Sequence, residues 1–147
     1  MKILICICTY KRNYELIESL KKIQSIFIPA NIEVKFLIVD NTINFDSKIV
    51  IKKFKKKFKF PLFHHNEKKR GIVYARNKCL KEVKKINCEY VTFFDDDCIV
   101  DKKWFINFQR LTQENEIEVI TGPQIHNNQN EDFFEKKYNK DLISVKW

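Results

Sequence analysis

Two hydrophobic periods alternate along this chain, and each change of period marks a boundary between a strand and a helix. Short apolar runs predict buried strands, and after most of them apolar residues recur at helical spacing. The predicted strands are Lys2–Cys8, Ile32–Val39, Pro61–His64, Tyr90–Phe94 and Glu118–Thr121. The apolar stripes of the predicted helices are Leu16/Leu20/Ile23, Val50/Phe54/Phe58, Ile72/Ala75/Cys79/Val83/Ile86 and Trp104/Phe108/Leu111.

Alternating strands and helices predict an α/β fold with a doubly wound, Rossmann-like, mostly parallel sheet in an αβα sandwich. Asn13 is the expected N-cap of the first helix. The periodic pattern breaks off after Pro123. We therefore expect a core in residues 1–124 and an irregular tail in residues 125–147.

Polar residues follow each of the first four predicted strands. A doubly wound sheet binds its ligands beyond the carboxyl ends of its strands, where the strand order reverses. Because parallel strands end at one edge, we expect these residues to converge there. They are Thr9–Arg12, Asp40–Asn41, His65–Asn66 and Asp95–Asp97.

Three consecutive aspartates, Asp95, Asp96 and Asp97, follow the fourth strand. Adjacent carboxylates repel one another, and folding alone does not require them. A divalent cation resolves the repulsion, since Mg²⁺ and Mn²⁺ take oxygen ligands and bind through carboxylates and substrate phosphates. Residues i and i+2 of an extended chain point the same way, which favours Asp95 and Asp97 as the pair. The alternative is a solvated acidic turn that caps the Trp104 helix.

Gly71 is one of only two glycines in the chain and precedes a predicted helix. A glycine there indicates positive φ or a close approach of the backbone to a ligand. A helix N-terminus favours anions, and Arg70 and Arg76 add positive charge. The alternative is a plain helix with a glycine near its N-cap. The segment matches neither a Walker motif nor a dinucleotide fingerprint.

The formal net charge is +9, and Lys52–Lys59 carries much of it. Such a charge attracts polyanions, although a solvated helix face explains it equally well. No apolar stretch is long enough to span a bilayer. The five cysteines show no zinc spacing and are expected to be buried reduced thiols, which favours a cytoplasmic location. His64 and His65 are expected to be structural, whereas the role of His126 stays open.

Together these segments resemble the family 2 glycosyltransferases with the GT-A fold, from Lys2 to about Gln124. The opening strand and its turn, the second strand end, the helix after the glycine, the D-x-D strand end and the following strand occur in the family's order. The matching segments are Ile5–Asn13, Leu37–Asn41, Gly71–Asn77, Phe93–Asp97 and Ile120–Pro123.

The resemblance implies an inverting transferase that takes a sugar from a nucleoside-diphosphate sugar, commonly UDP-linked, and uses Mn²⁺ or Mg²⁺. Asp97 and Asp95 would be the metal ligands, and Asp40 would bind the base. The implied nucleotide-sugar-binding residues are Thr9, Tyr10, Arg12, Asp40, Gly71, Arg76, Asp95 and Asp96. The implied acceptor is a polysaccharide, a lipid-linked molecule or a protein, as in cell-envelope polysaccharide synthesis at the inner face of the membrane.

The family's catalytic base lies well downstream of the D-x-D strand. The late carboxylates available here are Glu131, Asp132 and Glu135, and none matches a motif. We therefore expect a donor-binding part, with residues 125–147 the start of a truncated acceptor-binding part, and a chain whose activity alone is incomplete.

Two other classes of function compete with this one. An aspartate-nucleophile phosphatase needs D-x-D-x-[TV] after the first strand, whereas here the triplet follows the fourth strand and Ile99 occupies the fifth position. A non-catalytic basic module would bind nucleic acid or anionic membrane through Lys52–Lys59. No aromatic-interleaved RNA motif supports specific nucleic-acid binding. Peripheral membrane association is compatible with the glycosyltransferase interpretation.

Overall fold

The computed structural model describes residues 1–114 and 119–120. Strands and helices alternate strictly along the described chain, which confirms the predicted α/β class. The elements are β1 (Lys2–Thr9), α1 (Asn13–Ile23), β2 (Glu33–Asp40), α2 (Lys48–Lys55), β3 (Leu62–Asn66), α3 (Ile72–Val83), β4 (Tyr90–Asp95) and α4 (Trp104–Glu114).

The four described strands form one sheet in the order β3-β2-β1-β4, and every pairing is parallel. The chain starts in the middle with β1, moves outward through β2 and β3, and returns to add β4 on the other side of β1. The strand order therefore reverses between β1 and β4. In this register Thr9 pairs with Asp40, and Cys8 pairs with Asp95, so the predicted polar ends lie at one edge.

The two central strands are buried on both faces, which explains their continuous apolar runs. On one face, Leu4 and Cys6 of β1 pack with Ala75 and Cys79 of α3. On the other face, Phe36 of β2 contacts the aromatic residues after α2, and the ring centroids of Phe36 and Phe58 are 4.9 Å apart. Helices thus cover both faces of the sheet.

The predicted start of α1 is wrong by one residue. Asn13 is the first helical residue, and the N-cap position belongs to Arg12, without a side-chain cap. The Arg12 carbonyl accepts the first helical hydrogen bond from Leu16 at 3.0 Å. Asn13 instead donates from Nδ2 to the Asp46 carbonyl at 3.3 Å, which links the loops after β1 and β2.

The apolar stripe of α2 also differs from its prediction. Ile51, rather than Val50, is the fully buried residue. The helix ends at Lys55, so Phe58 lies beyond it. Phe58 keeps its predicted place in the core because it packs on Phe54 and Phe36, at centroid distances of 5.3 and 4.9 Å.

Of the predicted fifth strand, the structure describes only Val119 and Ile120, and neither is in a strand. The rest of that segment and residues 121–147 lie outside the described residues, as does the predicted domain boundary at Gln124. The chain divides into one compact unit at Met1–Phe105 and a second at Ile106–Trp147. None of the helices in the described part of the chain has the length and apolarity to cross a membrane.

Candidate functional site

The loops after β1 and β4 meet at the point where the strand order reverses. Thr9 donates from Oγ1 to Asp96 Oδ2 at 2.8 Å. The Arg12 guanidinium bridges two aspartates, with Nη1 3.2 Å from Asp96 Oδ1 and Nη2 2.6 Å from Asp97 Oδ2. Residues more than eighty positions apart in sequence thus form one polar cluster at the predicted ligand-binding edge.

The three aspartates divide into two environments. The side chains of Asp95 and Asp97 are 53% and 50% exposed, whereas that of Asp96 is 7% exposed. Burial raises the pKa of Asp96, and the hydrogen bond from Thr9 and the charge of Arg12 oppose that rise. Asp96 therefore ties two loops together, while its two neighbours present their carboxylates to solvent.

The alternative role of the triplet, capping of the following helix, is carried out by Asp101 instead. Asp101 accepts a hydrogen bond from the Lys103 amide at Oδ1, at 2.7 Å, and its carbonyl accepts one from the Trp104 amide at 3.0 Å. Because Asp101 forms the turn that begins α4, capping does not account for the three aspartates.

A divalent cation fits the donor set at Asp95 and Asp97. Among the residues described, no group of three or more His, Cys, Asp or Glu side chains is placed to hold a metal ion. Two exposed carboxylates nevertheless match the way Mg²⁺ and Mn²⁺ bind, through one or two carboxylates with substrate phosphates and water. An ion held there would need its remaining oxygen ligands from a bound molecule or from water.

Cationic side chains surround the acidic pair. Arg76 Nη2 lies 4.0 Å from Asp95 Oδ1, and its guanidinium is 5.5 Å from the centroid of the Phe93 ring. The Arg70 guanidinium lies 5.0 Å from the centroid of the Tyr10 ring. These predicted residues therefore add positive charge and an aromatic ring at the carboxyl edge of the sheet.

Asp40 is fully buried, and its carboxylate is hydrogen-bonded to residues of its own loop. Its carboxylate accepts four hydrogen bonds, from the amide and the hydroxyl of both Thr42 and Ser47. Burial disfavours the ionised carboxylate, but these hydrogen bonds outweigh it and lower the pKa of Asp40 below its ordinary value. The predicted base ligand thus has a set of protein partners that fixes residues 40–47.

Two asparagines extend this network to the start of α3. Asn41 donates from Nδ2 to the carbonyls of Glu67 and Lys69, each at 2.8 Å, and accepts at Oδ1 from the Gly71 amide at 2.7 Å. Asn66 donates to the carbonyl of Asp40 at 2.9 Å. The ends of β2 and β3 and the first residue before α3 are therefore held as one unit.

Gly71 has φ 134° and ψ 140°, a conformation that residues with a Cβ rarely adopt. A Cβ at this position would lie 3.2 Å from Cδ2 of Tyr74. Of the two alternatives predicted for this glycine, positive φ or a close approach to a ligand, the structure shows positive φ, and the Gly71 amide donates to Asn41.

The two adjacent histidines face opposite sides of β3, as predicted. Ser47 donates its single hydroxyl hydrogen to Asp40, so it accepts from Nε2 of His64 at 2.9 Å. Burial lowers the pKa of His64 to about 4. His65 Nε2 lies 4.0 Å from Oε2 of Glu82 on α3. Both side chains have structural partners.

The sequence interpretation missed Thr42 and Ser47. A hydroxyl residue two positions after an aspartate is typical of a side-chain turn, and this signal was available in Asp40-Asn41-Thr42. Ser47 gave no comparable signal, because its distance from Asp40 depends on the path of the loop. The candidates His126, Glu131, Asp132 and Glu135 lie outside the described residues.

All five cysteines are free, as predicted, and burial varies among them. Cys6 and Cys79 are buried, while the other three are half-buried. Cys8 Sγ lies 3.7 Å from Cys79 Sγ under α3. The hydrogen bond with Cys79 and burial raise the pKa of Cys8, so this thiol is a packing group rather than a nucleophile.

The model of glycosyl transferase family 2 matches residues 4–146, nearly the whole chain. The chain therefore belongs to glycosyl transferase family 2, and the resemblance inferred from its motifs is confirmed. No curated protein matches the chain significantly.

Solved structures of glycosyltransferases share its fold. The TarS 1–349 structure from S. aureus matches with a TM-score of 0.63 and 19% identity, over 86% of this chain and 38% of that one. The same protein in complex with UDP-GlcNAc matches with a TM-score of 0.62 and 19% identity, over 86% and 37%. The mannosyltransferase PcManGT from Pyrobaculum calidifontis, in complex with GDP-Man and Mn²⁺, matches with a TM-score of 0.58 and 18% identity, over 69% and 29%. This chain thus spans less than two fifths of each of these structures.

Proposed function

We propose that this chain binds a nucleoside-diphosphate sugar, UDP-linked, in the crevice between β1 and β4 as the donor of a glycosyl transfer. The observation that carries the proposal is the pair of exposed carboxylates, Asp95 and Asp97, at the point of strand-order reversal. Structures with this fold that hold UDP-GlcNAc, or GDP-Man with Mn²⁺, support a nucleotide-sugar ligand.

The flanking residues supply complementary contacts for such a donor. We assign the nucleotide to Thr9, Tyr10 and Arg12, and we propose that the base stacks on the Tyr10 ring and displaces the Arg70 guanidinium from it. Arg76 and the amino end of α3 after Gly71 favour phosphate, since a helix N-terminus carries partial positive charge. We propose that Asp40 acts on the donor only indirectly, through the loop that it fixes, because its four acceptor contacts are already internal.

We propose Mn²⁺ or Mg²⁺ as the cofactor, held by Asp97 and Asp95. A divalent cation there supplies Lewis-acid stabilisation of the departing nucleoside diphosphate. Arg12, which pairs with Asp97 at 2.6 Å, would exchange that partner for the donor phosphates. Asp96 keeps the two loops together throughout.

We propose that the transfer inverts the anomeric centre by direct displacement. The acceptor hydroxyl attacks C1 of the sugar, the bond from C1 to the diphosphate oxygen breaks, and a general base takes the hydroxyl proton. Glu131, Asp132 and Glu135 remain candidates for that base, as predictions from sequence. The proposed acceptor is a polysaccharide, a lipid-linked molecule or a protein of the cell envelope, and the free thiols favour a cytoplasmic reaction at the inner face of the membrane.

Titration of UDP, followed by calorimetry with and without Mn²⁺, tests the donor site. We expect binding by the wild-type chain that depends on the metal, and loss of that dependence in Asp97→Ala. Glu89→Gln removes the same charge at the opposite edge of the sheet and is expected to bind as the wild type does. UDP binding that is independent of both the metal and Asp97 would contradict the proposal.

A second candidate function is a non-catalytic basic module for nucleic acid or anionic membrane, which the exposed lysines of α2 favour. The basic module replaces donor binding as the proposed function if the wild-type chain does not bind UDP at any metal concentration and binds RNA in a salt-sensitive manner.

A further inference from the structure

The segment from α2 to the start of β3 concentrates positive charge that no described acidic residue neutralises. Between Lys48 and Phe60 there are seven lysines and no acidic residue. Across residues 1–114 and 119–120, none of the seven forms an ion pair. Lysines elsewhere on the surface do form ion pairs with acidic residues. The Lys21 ammonium, for example, lies 2.6 Å from the Glu18 carboxylate.

The apolar face of this segment is already used inside the protein. Ile51 is 1% exposed, and Phe58 packs against Phe36 at 4.9 Å. Because these residues pack in the core, the opposite face of the helix points to solvent. It carries Ile49, Lys52, Lys53 and Lys56, which share one side of the helix at spacings of three, four and seven residues.

Exposed apolar side chains accompany the lysines. Ile49, within the basic face, is 69% exposed. Lys59 Nζ donates to the Gln24 carbonyl at 3.5 Å, which joins the turn after α2 to the loop after α1. Phe27 lies three residues beyond Gln24 and is 66% exposed. Ile49 therefore adds a large exposed apolar group within the basic face, and Phe27 adds a second one near the Lys59 end of the segment.

The strand order separates this surface from the donor site. α2 lies beside β3, at one side of the sheet, whereas the aspartates follow β4 at the other side. The helix also runs from the end of β2 back toward the start of β3, so Lys56 lies farther from the carboxyl edge than Ile49 does. A partner on the basic surface is therefore expected to leave the donor site accessible.

We propose that this surface, formed by Ile49, Lys52, Lys53, Lys56 and Phe27, docks the chain on an anionic lipid membrane. Lysines near a negatively charged leaflet lower the free energy of adsorption, and aliphatic and aromatic groups insert at the interface. A nucleic acid would use the lysines equally, but it has no use for an isoleucine in the centre of the basic face. The inference deepens the proposed function by naming the surface on which the transferase works, and its test does not involve the donor site.

Vesicle co-sedimentation of the full chain tests the docking surface, with neutral vesicles compared with vesicles that contain phosphatidylglycerol. We expect binding only to the anionic vesicles, weakened by salt. Lys52→Gln/Lys53→Gln/Lys56→Gln is expected to lower the partition coefficient about a hundredfold, since each lysine contributes roughly fivefold. The matched control, Lys81→Gln/Lys84→Gln/Lys102→Gln, makes the same change in charge at exposed sites elsewhere and is expected to retain most of the binding.

Ile49→Ser separates insertion from charge. Its loss of binding is expected to persist at high salt, because apolar contacts are not screened. UDP titration of the triple Lys52/Lys53/Lys56 variant is expected to match the wild type, so failure of the docking surface and failure of the donor site give different results. If the triple variant unfolds, Lys53→Glu, a single exposed change, gives the same comparison.

Three results would overturn the proposal. In the first, the wild-type chain does not bind anionic vesicles. In the second, both triple variants lose binding equally, which shows that only net charge matters. In the third, single-stranded RNA displaces the chain from vesicles and binds it more tightly, which assigns the basic surface to nucleic acid.

Discussion

Asp40 shows how a buried carboxylate organises a loop. A charged group inside a protein is costly unless hydrogen bonds replace its hydration. Here the two oxygens accept from Thr42 and Ser47, and the backbone amides of both residues take part. The loop conformation and the ionised state of Asp40 therefore depend on each other.

We expect Asp40→Asn to lower the free energy of unfolding by about 3 kcal/mol at neutral pH, because the amide keeps one acceptor oxygen and puts an NH2 group against the donors of the other pair. Urea unfolding measures the change. The depressed pKa means that ionised Asp40 stabilises the fold above its unfolded pKa and loses that contribution as the pH falls through its folded pKa. The difference between wild type and variant is thus expected to shrink in acid.

Asp46→Asn is the matched control for Asp40, since its side chain is exposed in the same loop. It removes the same charge without touching the network. Equal losses of stability in the two variants would show that net charge, and not the buried hydrogen bonds, accounts for the effect.

His64 adds a dependence on pH in the same network. Its pKa in the folded chain is about 4, below the ordinary value of 6.5, because burial disfavours the charged ring. The neutral ring therefore stabilises the fold above the unfolded pKa, and acid removes up to about 3 kcal/mol of that stability between pH 6.5 and 4.

We expect His64→Gln to flatten this dependence, since an amide can still donate to Ser47 but does not titrate in that range. Urea unfolding at a series of pH values from neutral to mildly acidic measures the slope. His65→Gln, on the opposite face of β3, controls for the loss of an imidazole. A slope that stays at the wild-type value in His64→Gln contradicts the assignment.

At the scale of elements, periodicity was sufficient for most of the described fold. The apolar runs of β1 and β2 and the middle of the α3 stripe correspond to buried residues, as the hydrophobic period predicts. The two ends of that stripe differ, because Ile72 is 55% exposed and Ile86 lies beyond the end of the helix. The helix ends could not be predicted in this way, because they depend on tertiary contacts that the hydrophobic period does not reflect. Asn13 bonds to Asp46 instead of capping α1, and Phe58 packs on Phe36 after α2 has ended.

Thr9 joins β1 to the loop after β4 and gives an element-scale prediction. Thr9→Val preserves the shape of the side chain but removes the 2.8 Å hydrogen bond to Asp96. We expect a loss of about 2 kcal/mol in the free energy of unfolding, because a buried carboxylate oxygen loses its donor.

Burial already raises the pKa of Asp96, and loss of the Thr9 hydroxyl raises it further. The deficit of Thr9→Val is therefore expected to grow as the pH rises through the folded pKa and to shrink below it. Thr9→Ser keeps the hydroxyl and serves as the control in the same urea series. A deficit in Thr9→Val that is constant with pH would point to packing alone.

At the scale of the whole molecule, topology predicted where the site lies but not how its parts are bonded. Residues at the ends of parallel strands must share an edge, so Thr9 and Asp95–Asp97 were expected to meet. Which aspartate is buried, and that Arg12 holds two of them, follow from side-chain geometry that sequence does not specify. The same limit applies to Asp40, whose partners come from a loop without periodicity.

If the exposed acidic pair binds a metal ion and a nucleotide-sugar donor as proposed, the two ligands depend on each other. Without a cation, Asp95 and Asp97 repel a diphosphate, and Arg12 is occupied by Asp97 at 2.6 Å. Without a diphosphate, two carboxylates form a weak site for Mn²⁺. We therefore expect each ligand to strengthen the binding of the other by the same factor, since coupling between two sites is reciprocal.

Thermal unfolding with UDP alone, Mn²⁺ alone and both together measures this coupling, because a ligand of the folded state raises the midpoint by an amount that grows with the ratio of its concentration to its Kd. The joint shift is expected to exceed the sum of the separate shifts in the wild type and in Glu89→Gln. Asp97→Asn removes a repelling charge and releases Arg12, so UDP alone is expected to bind this variant at least as well as the wild type. The added benefit of Mn²⁺ then disappears. Additive shifts in the wild type, or coupling that survives in Asp97→Asn, would place the metal site elsewhere in the chain.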